Sequence, residues 1–181
     1  MSVVFSGAQA RTIENTVETI LRVFLEAKLA DAALPYQAGM QAFGGAEVLT
    51  ADQEETRAEQ NGPPYIVLNK IRVEKEPTDE LVDDGVGGVL LKKGMFRVFT
   101  YRAECVANEY TGALVGIENP IAAEEILSGF LETIIDEGFD ELSALGLEEA
   151  DIAPEGEDQE DEALNRINSH LISFAVTSVN S

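Results

Sequence analysis

Met95-Phe96-Arg97-Val98-Phe99-Thr100-Tyr101-Arg102-Ala103-Glu104-Cys105-Val106-Ala107 decides the fold. Aromatic and β-branched residues fill the stretch. Alternate positions separate Met95, Phe99, Tyr101, Ala103, Cys105 and Ala107 from Phe96, Val98, Thr100, Arg102, Glu104 and Val106. The first set is the more apolar and belongs on a covered face, while Arg102 and Glu104 put the far half of the other face in water. The rest of the chain reads as segments that pair with this strand or pack on it.

A second strand follows Asn61-Gly62-Pro63-Pro64, a strong stop, and runs from Tyr65 to Glu74. Tyr65, Val67, Ile71 and Val73 share one face of it; Lys70, Arg72 and Glu74 share the other, with Ile66 and Leu68 at its beginning. Between the two strands, residues 76–94 are acidic and glycine-rich, which predicts a protruding connection. Within it, Val89-Leu90-Leu91 and a Lys-Lys-Gly turn can extend the next strand as a hairpin. A third strand, Leu171 to Val179, alternates Ile172, Phe174 and Val176 with Ser173, Ala175 and Thr177.

Two amphipathic helices frame these strands. From Thr12 to about Ala33 the apolar residues Ile13, Val17, Ile20, Leu21 and Phe24 form a stripe, with Thr12 as N-cap and Leu34-Pro35 as the stop. Asn119-Pro120 opens the second helix, in which Leu127, Phe130, Leu131, Ile134 and Ile135 recur at helical spacing. Gly138 interrupts it, and Phe139, Leu142 and Leu145 continue as a short piece to Gly146. The expected architecture is a single α+β domain of two layers, a small antiparallel sheet with two helices packed on one face. Its expected core includes Val67, Ile71, Phe99, Tyr101, Leu127, Phe130, Ile134 and Phe174. Long loops are expected at 37–62, 76–94 and 148–165. The last begins with Glu148 to Glu162, whose nine acidic residues in fifteen predict a solvated, mobile segment. A calcium loop is not indicated there, because the spaced Asp-x-Asp-x-Asp-Gly pattern closed by a Glu at the twelfth position is missing.

The 181 residues carry 12 Lys plus Arg against 34 Asp plus Glu, a net charge of −22. Binding a phosphate backbone requires Lys and Arg, so ordinary nucleic-acid binding and attachment to an anionic membrane are both disfavoured. No stretch has the length and apolarity of a membrane-spanning helix. The start, Met1 to Gly7, lacks the pattern of a secretory signal, which with one cysteine suggests a reducing cytoplasm. Cys105, mid-strand, reads as a small buried hydrophobe.

No residue pattern announces chemistry. Carboxylates are too numerous for any pair to stand out as acid and base. His170 is the only histidine, and Asn168 and Ser169 beside it form no recognised nucleophile motif. Gly85-Val86-Gly87-Gly88 lacks the strand-to-helix context and following Lys-Ser or Lys-Thr of a phosphate loop. The reading is a non-enzyme with no catalytic, cofactor-binding or metal-binding residues.

The opening helix, the proline-launched strand Pro63-Pro64-Tyr65-Ile66-Val67, the strand Met95 to Ala107, the helix from Pro120 and the closing strand to Val179 form an ordered series. In that order the chain resembles the tail terminator proteins of tailed bacteriophages, from Thr12 to Val179. The resemblance implies a structural virion protein of the tail or neck, assembled in the host cytoplasm. It further implies a homohexameric ring that caps the tail tube, meets a head-side neck protein and passes DNA through its lumen without gripping it. An acidic lumen wall would repel phosphates. The expected contact residues, between subunits or with the tube, are Val86, Val89, Leu90, Leu91, Lys92 and Lys93. Three alternatives are a head-side stopper or adaptor, an acidic interaction protein such as a DNA mimic, and a small enzyme with a carboxylate site.

Overall fold

A computed structural model describes residues 5–6, 10–30, 47–50, 53, 65–107, 120–160 and 165–179. The elements in chain order are β1 (Phe5–Ser6), α1 (Ala10–Ala30), β2 (Glu47–Thr50), β3 (Tyr65–Asp83), β4 (Val89–Ala107), α2 (Pro120–Glu137), α3 (Phe139–Ala144), β5 (Glu148–Glu160) and β6 (Asn165–Val179). The fold is α+β, a sheet covered on one face by helices.

β4 is central. β3 and β6 flank it antiparallel, and β2 extends the sheet beyond β3 while β5 and β1 both pair with β6. The sheet is mixed rather than purely antiparallel, because the short β1 and β2 run parallel to β6 and β3. The helix-covered face of β4 carries Phe99, Tyr101, Ala103 and Cys105, the first set of the alternation. Phe99 lies opposite Phe174, and the Phe99, Tyr101 and Phe174 rings stack with centroids 5.6–6.4 Å apart. On them pack Ile13, Val17, Leu21 and Leu25 of α1 and Leu127, Leu131, Ile134 and Ile135 of α2. The other face holds a smaller cluster of Leu49, Tyr65, Val67 and Val106.

β3 departs from simple alternation. The register shifts between Lys70 and Arg72, leaving Ile71 as an unpaired bulge residue that is 46% exposed. One extra residue exchanges the two faces of a strand. Ile66 and Leu68 therefore join the main core before the bulge and Val73 packs on it afterwards, while Tyr65 and Val67 face the other way. Ile71 is not a core residue, and Phe130 is only partly buried; the other six expected core residues are buried.

Two of the three expected loops are strands. Residues 76–94 continue β3 and β4 as one long hairpin, paired from Pro77 with Met95 to Asp83 with Val89. The acidic run is the edge strand β5, laddered on β6 from Glu148 opposite Ala175 to Glu160 opposite Asn165. Ala150 and Ile152 pack on the core from β5, and Asp151 and Glu155 stay in water. Charge on an edge strand discourages pairing with a further chain, so acidity here is compatible with a strand. The third expected loop, 37–62, lies outside the described residues except for β2 and Gln53.

Helix ends differ little from expectation. α1 begins at Ala10, placing Thr12 inside the first turn rather than at the cap, and α2 begins at Pro120. At Gly138 an added Cβ would stand 2.5 Å from Phe24 Cζ and 2.6 Å from the Ile134 carbonyl. Glycine there lets the junction of α2 and α3 approach α1 closely.

Truncating a fully enclosed aromatic leaves a cavity, so Phe99→Ala should cost on the order of 3–5 kcal/mol in urea denaturation. Phe130→Ala should cost clearly less, because that ring is already partly in water. Equal losses for the two would place the core wrongly.

Candidate functional site

β4 pairs with β3 along its whole length but with β6 only from Gly94, opposite Val179, to Ala107. Beyond Gly94, among the described residues, no third strand flanks the hairpin. Thr78–Asp83 and Val89–Lys93 therefore form a two-stranded arm, roughly 20 Å long at about 3.4 Å per residue. Isolated ribbons of two strands are marginal in water, so the arm depends on its turn and cross-strand pairs.

Both are well built. The Asp84 amide donates to the Gly88 carbonyl at 3.0 Å. Asp84 Oδ1 accepts from the amides of Val86 and Gly88, and Asp83 Oδ1 accepts from that of Gly85. Gly85 and Gly87 take positive φ, as the turn requires. The glycine-rich tip is thus a closed turn whose amides are engaged by the chain's own carboxylates, which removes it as an anion cradle.

All six expected contact residues lie on this arm. Val86 at the tip is 88% exposed, Leu91 is 65% exposed, and Val89 and Leu90 are also exposed. Leu81, which sequence reasoning passed over inside an acidic run, is opposite Leu91 and 73% exposed. Leu81, Val89 and Leu91 share one face and Leu90 and Val82 the other. Lys93 Nζ reaches Asp79 Oδ1 at 2.5 Å, so its charge is matched within the chain. Lys92 is opposite Glu80, with no carboxylate among the described residues at ion-pair distance.

A second apolar surface lies on the helical layer. Ile20, Val23, Phe24 and Ala27 of α1 and Leu145 just after α3 line an open groove of about 380 Å³ with Glu141 at its rim. The Lys28–Glu141 ion pair, 2.5 Å, ties α1 to α3 beside it. The sequence signal was Val23, an apolar residue off the buried stripe.

Three polar clusters accompany these surfaces. His170 is 1% exposed in β6, and its Nε2 lies 2.9 Å from Ser128 Oγ and 2.8 Å from Glu132 Oε1. Nδ1 is buried with no protein partner. A nucleophile triad places hydroxyl and carboxylate on opposite ring nitrogens; here both meet Nε2, so the geometry is not that of a triad, and the group ties α2 to β6. Ser128 and Glu132, four apart on α2, and an apolar-face histidine were the available sequence signals. At the base of the arm the buried Arg97 donates to Ser178 Oγ; burial pushes its pKa down and the Glu14 carboxylate opposes this. Burial, with Glu18 and Glu14 adding to it, pushes the Tyr101 hydroxyl well above its ordinary value. On the opposite face Arg102 holds Glu155 through two bonds, 2.6 and 2.7 Å, bracing β5 across β6.

Among the described residues no group of three or more His, Cys, Asp or Glu is placed to hold a metal ion. No helix among them is long and apolar enough to cross a membrane. Comparison with protein-family models and with curated proteins gives no match, so the reading of the site rests on its geometry.

Glu14 of α1 accepts from Lys70 at 2.8 Å and lies 3.6 Å from Lys75, anchoring the helix to β3. The Lys70 bond holds its pKa below the ordinary 4.5, against an opposing contribution from burial. A folded value below the unfolded one contributes stability that is complete above about 4.5 and lost as pH falls through the folded value. Glu14→Gln should therefore flatten the acid limb of a stability–pH curve in that window, and a limb unchanged by the substitution would refute the anchor.

Proposed function

We propose that this chain is a structural subunit of a virion neck, forming a ring that caps a tail tube and joins it to the head side. The observation that carries the reading is the free-standing β-arm. Monomeric proteins seldom hold a contiguous apolar surface in water, and an apolar ribbon standing clear of its sheet is a means of engaging another protein. The order of elements, which resembles tail terminators, supplies the kind of assembly. Six subunits, a tube protein, a head-side neck protein and DNA in transit are the components this reading calls for.

The charge supports it. Copies at −22 repel one another through roughly 8 Å at physiological salt, so contacts must use neutral or apolar positions. The arm offers them. Carboxylates left on a lumen wall would then keep DNA from adhering.

A second reading draws on β5, where Glu149, Asp151 and Glu155 are exposed carboxylates on one edge strand. A DNA-mimicking partner of a basic protein would use such an edge. It leaves the apolar arm without a purpose, and the ring reading is preferred on that ground.

Sedimentation velocity across salt and protein concentration tests the proposal, with and without purified tail tubes. Association should strengthen as salt rises, by relief of like-charge repulsion. Lys92→Glu combined with Lys93→Glu should weaken self-association or tube capping by adding like charge to the arm. A chain that remains monomeric throughout and leaves tail tubes uncapped would end the reading.

A further inference from the structure

We propose that Arg97, with Lys75 across from it, binds a carboxylate at the base of the arm. The proposal goes beyond the assembly reading and does not depend on it. Arg97 is 6% exposed and shares the helix-covered face of β4 with Phe99 and Tyr101. A guanidinium has five N–H donors and stays charged in a folded protein. Among the described residues only Nη1 meets an acceptor, Ser178 Oγ, while Nε is buried with no partner. The Glu14 carboxylate acts on Arg97 from beyond ion-pair distance, because Lys70 and Lys75 hold it. Burial lowers the pKa of Arg97, and Glu14 offsets this only in part.

A buried charge is ordinarily paired, and one left uncompensated costs a protein stability. The side of Arg97 without an acceptor is the one formed by Nε and Nη2, which matches the two oxygens of a carboxylate side-on. Arg102 of the same strand shows that use. Its Nε and Nη2 hold the two oxygens of Glu155 at 2.6 and 2.7 Å. At Arg97 the same fork has no carboxylate to meet among the described residues, so a ligand or a neighbouring molecule has to supply it.

The surroundings select a single negative charge. Lys75 is directly opposite Arg97 in the β3–β4 ladder, and residues so placed share a face. Lys75 Nζ is 3.6 Å from Glu14, which Lys70 already holds at 2.8 Å, so Lys75 is the lysine that turns toward a ligand at small cost. Its side chain is 42% exposed, which gives the site an approach from water. Glu18, one turn along α1 from Glu14, acts on Tyr101 beside this group. Lys70, Lys75 and Arg97 against Glu14 and Glu18 leave three minus two, one positive charge, in a chain at −22. A carboxylate balances it, whereas a doubly charged phosphate exceeds it.

The Arg97 Nε–Hε cross-peak of the 15N-labelled full-length chain tests the site. In dilute protein, sodium acetate should move it saturably, with an apparent dissociation constant on the order of 1 mM, while sodium chloride at equal ionic strength should not. If an acidic side chain of a second copy is the natural occupant, concentrating the protein without acetate should move the same peak and acetate should reverse that dependence. If a small carboxylate is the occupant, acetate alone should move it. Lys75→Gln should weaken acetate binding several-fold. Arg97→Lys keeps the charge but loses the fork, and should weaken it about tenfold or more, read from the Ser178 amide. A parental cross-peak that acetate leaves unmoved, or moves without saturation, overturns the proposal, and one that inorganic phosphate moves where acetate does not overturns the choice of a carboxylate. A chain that binds acetate in this way yet never associates and never caps a tube keeps the site and ends the ring reading.

Discussion

The structure depends on a mismatch in strand length. β4 is nineteen residues long and β3 matches it throughout, but the ladder with β6 covers only Gly94 to Ala107. The covered half becomes the centre of the sheet, with Phe99 and Tyr101 stacked against Phe174 under both helices. The other half has no such option. It stands as a ribbon secured by its Asp-capped turn and the Asp79–Lys93 pair, and its leucines and valines meet water. Stable core and available arm are two ends of one strand.

Charge follows the same division. Among the described core residues Arg97 bonds Ser178 and His170 meets Ser128 and Glu132, while the Tyr101 hydroxyl is buried with no protein partner. Excess carboxylates go to the β5 edge, the β3 edge of the arm and the outer helix surfaces, where water screens them. A chain at −22 can fold in this way because like charges are kept apart on different elements. The same arrangement leaves apolar side chains of the arm and of the groove exposed.

Much of this was legible in the sequence. Period-two alternation identified the core face of β4 correctly, down to Cys105, and helical spacing identified the buried stripes of α1 and α2. Period failed in β3, because a bulge at Ile71 exchanges faces without any composition signal such as glycine. Composition misled at β5. Nine acids in fifteen residues outweighed Ala150 and Ile152, whose alternation was the true strand signal, and an edge position tolerates acids that a central strand would not. The six arm residues were singled out for apolarity beside lysines, and they lie on the hairpin extension, but Leu81 and the groove were missed. Their proximity to partners is tertiary information: Leu81 matters because Leu91 is opposite, and Val23 because α3 folds back at Gly138. The Ser128–His170–Glu132 group was missed for the same reason, His170 lying 42 and 38 residues from its two partners in the chain.

The proposed role of the arm as an assembly element requires that a partner copy add protection to a ribbon that its own turn and cross-strand pairs hold only marginally. Hydrogen exchange of its backbone amides tests this most directly. In dilute monomer the amides of 78–83 and 89–93 should exchange far faster than those of Phe99 to Ala107, which the sheet flanks on both sides. On self-association the arm amides should become protected while the Phe99 to Ala107 amides change little. Arm amides that are as slow as the sheet in the monomer, or that remain fast in the assembled state, would contradict the account.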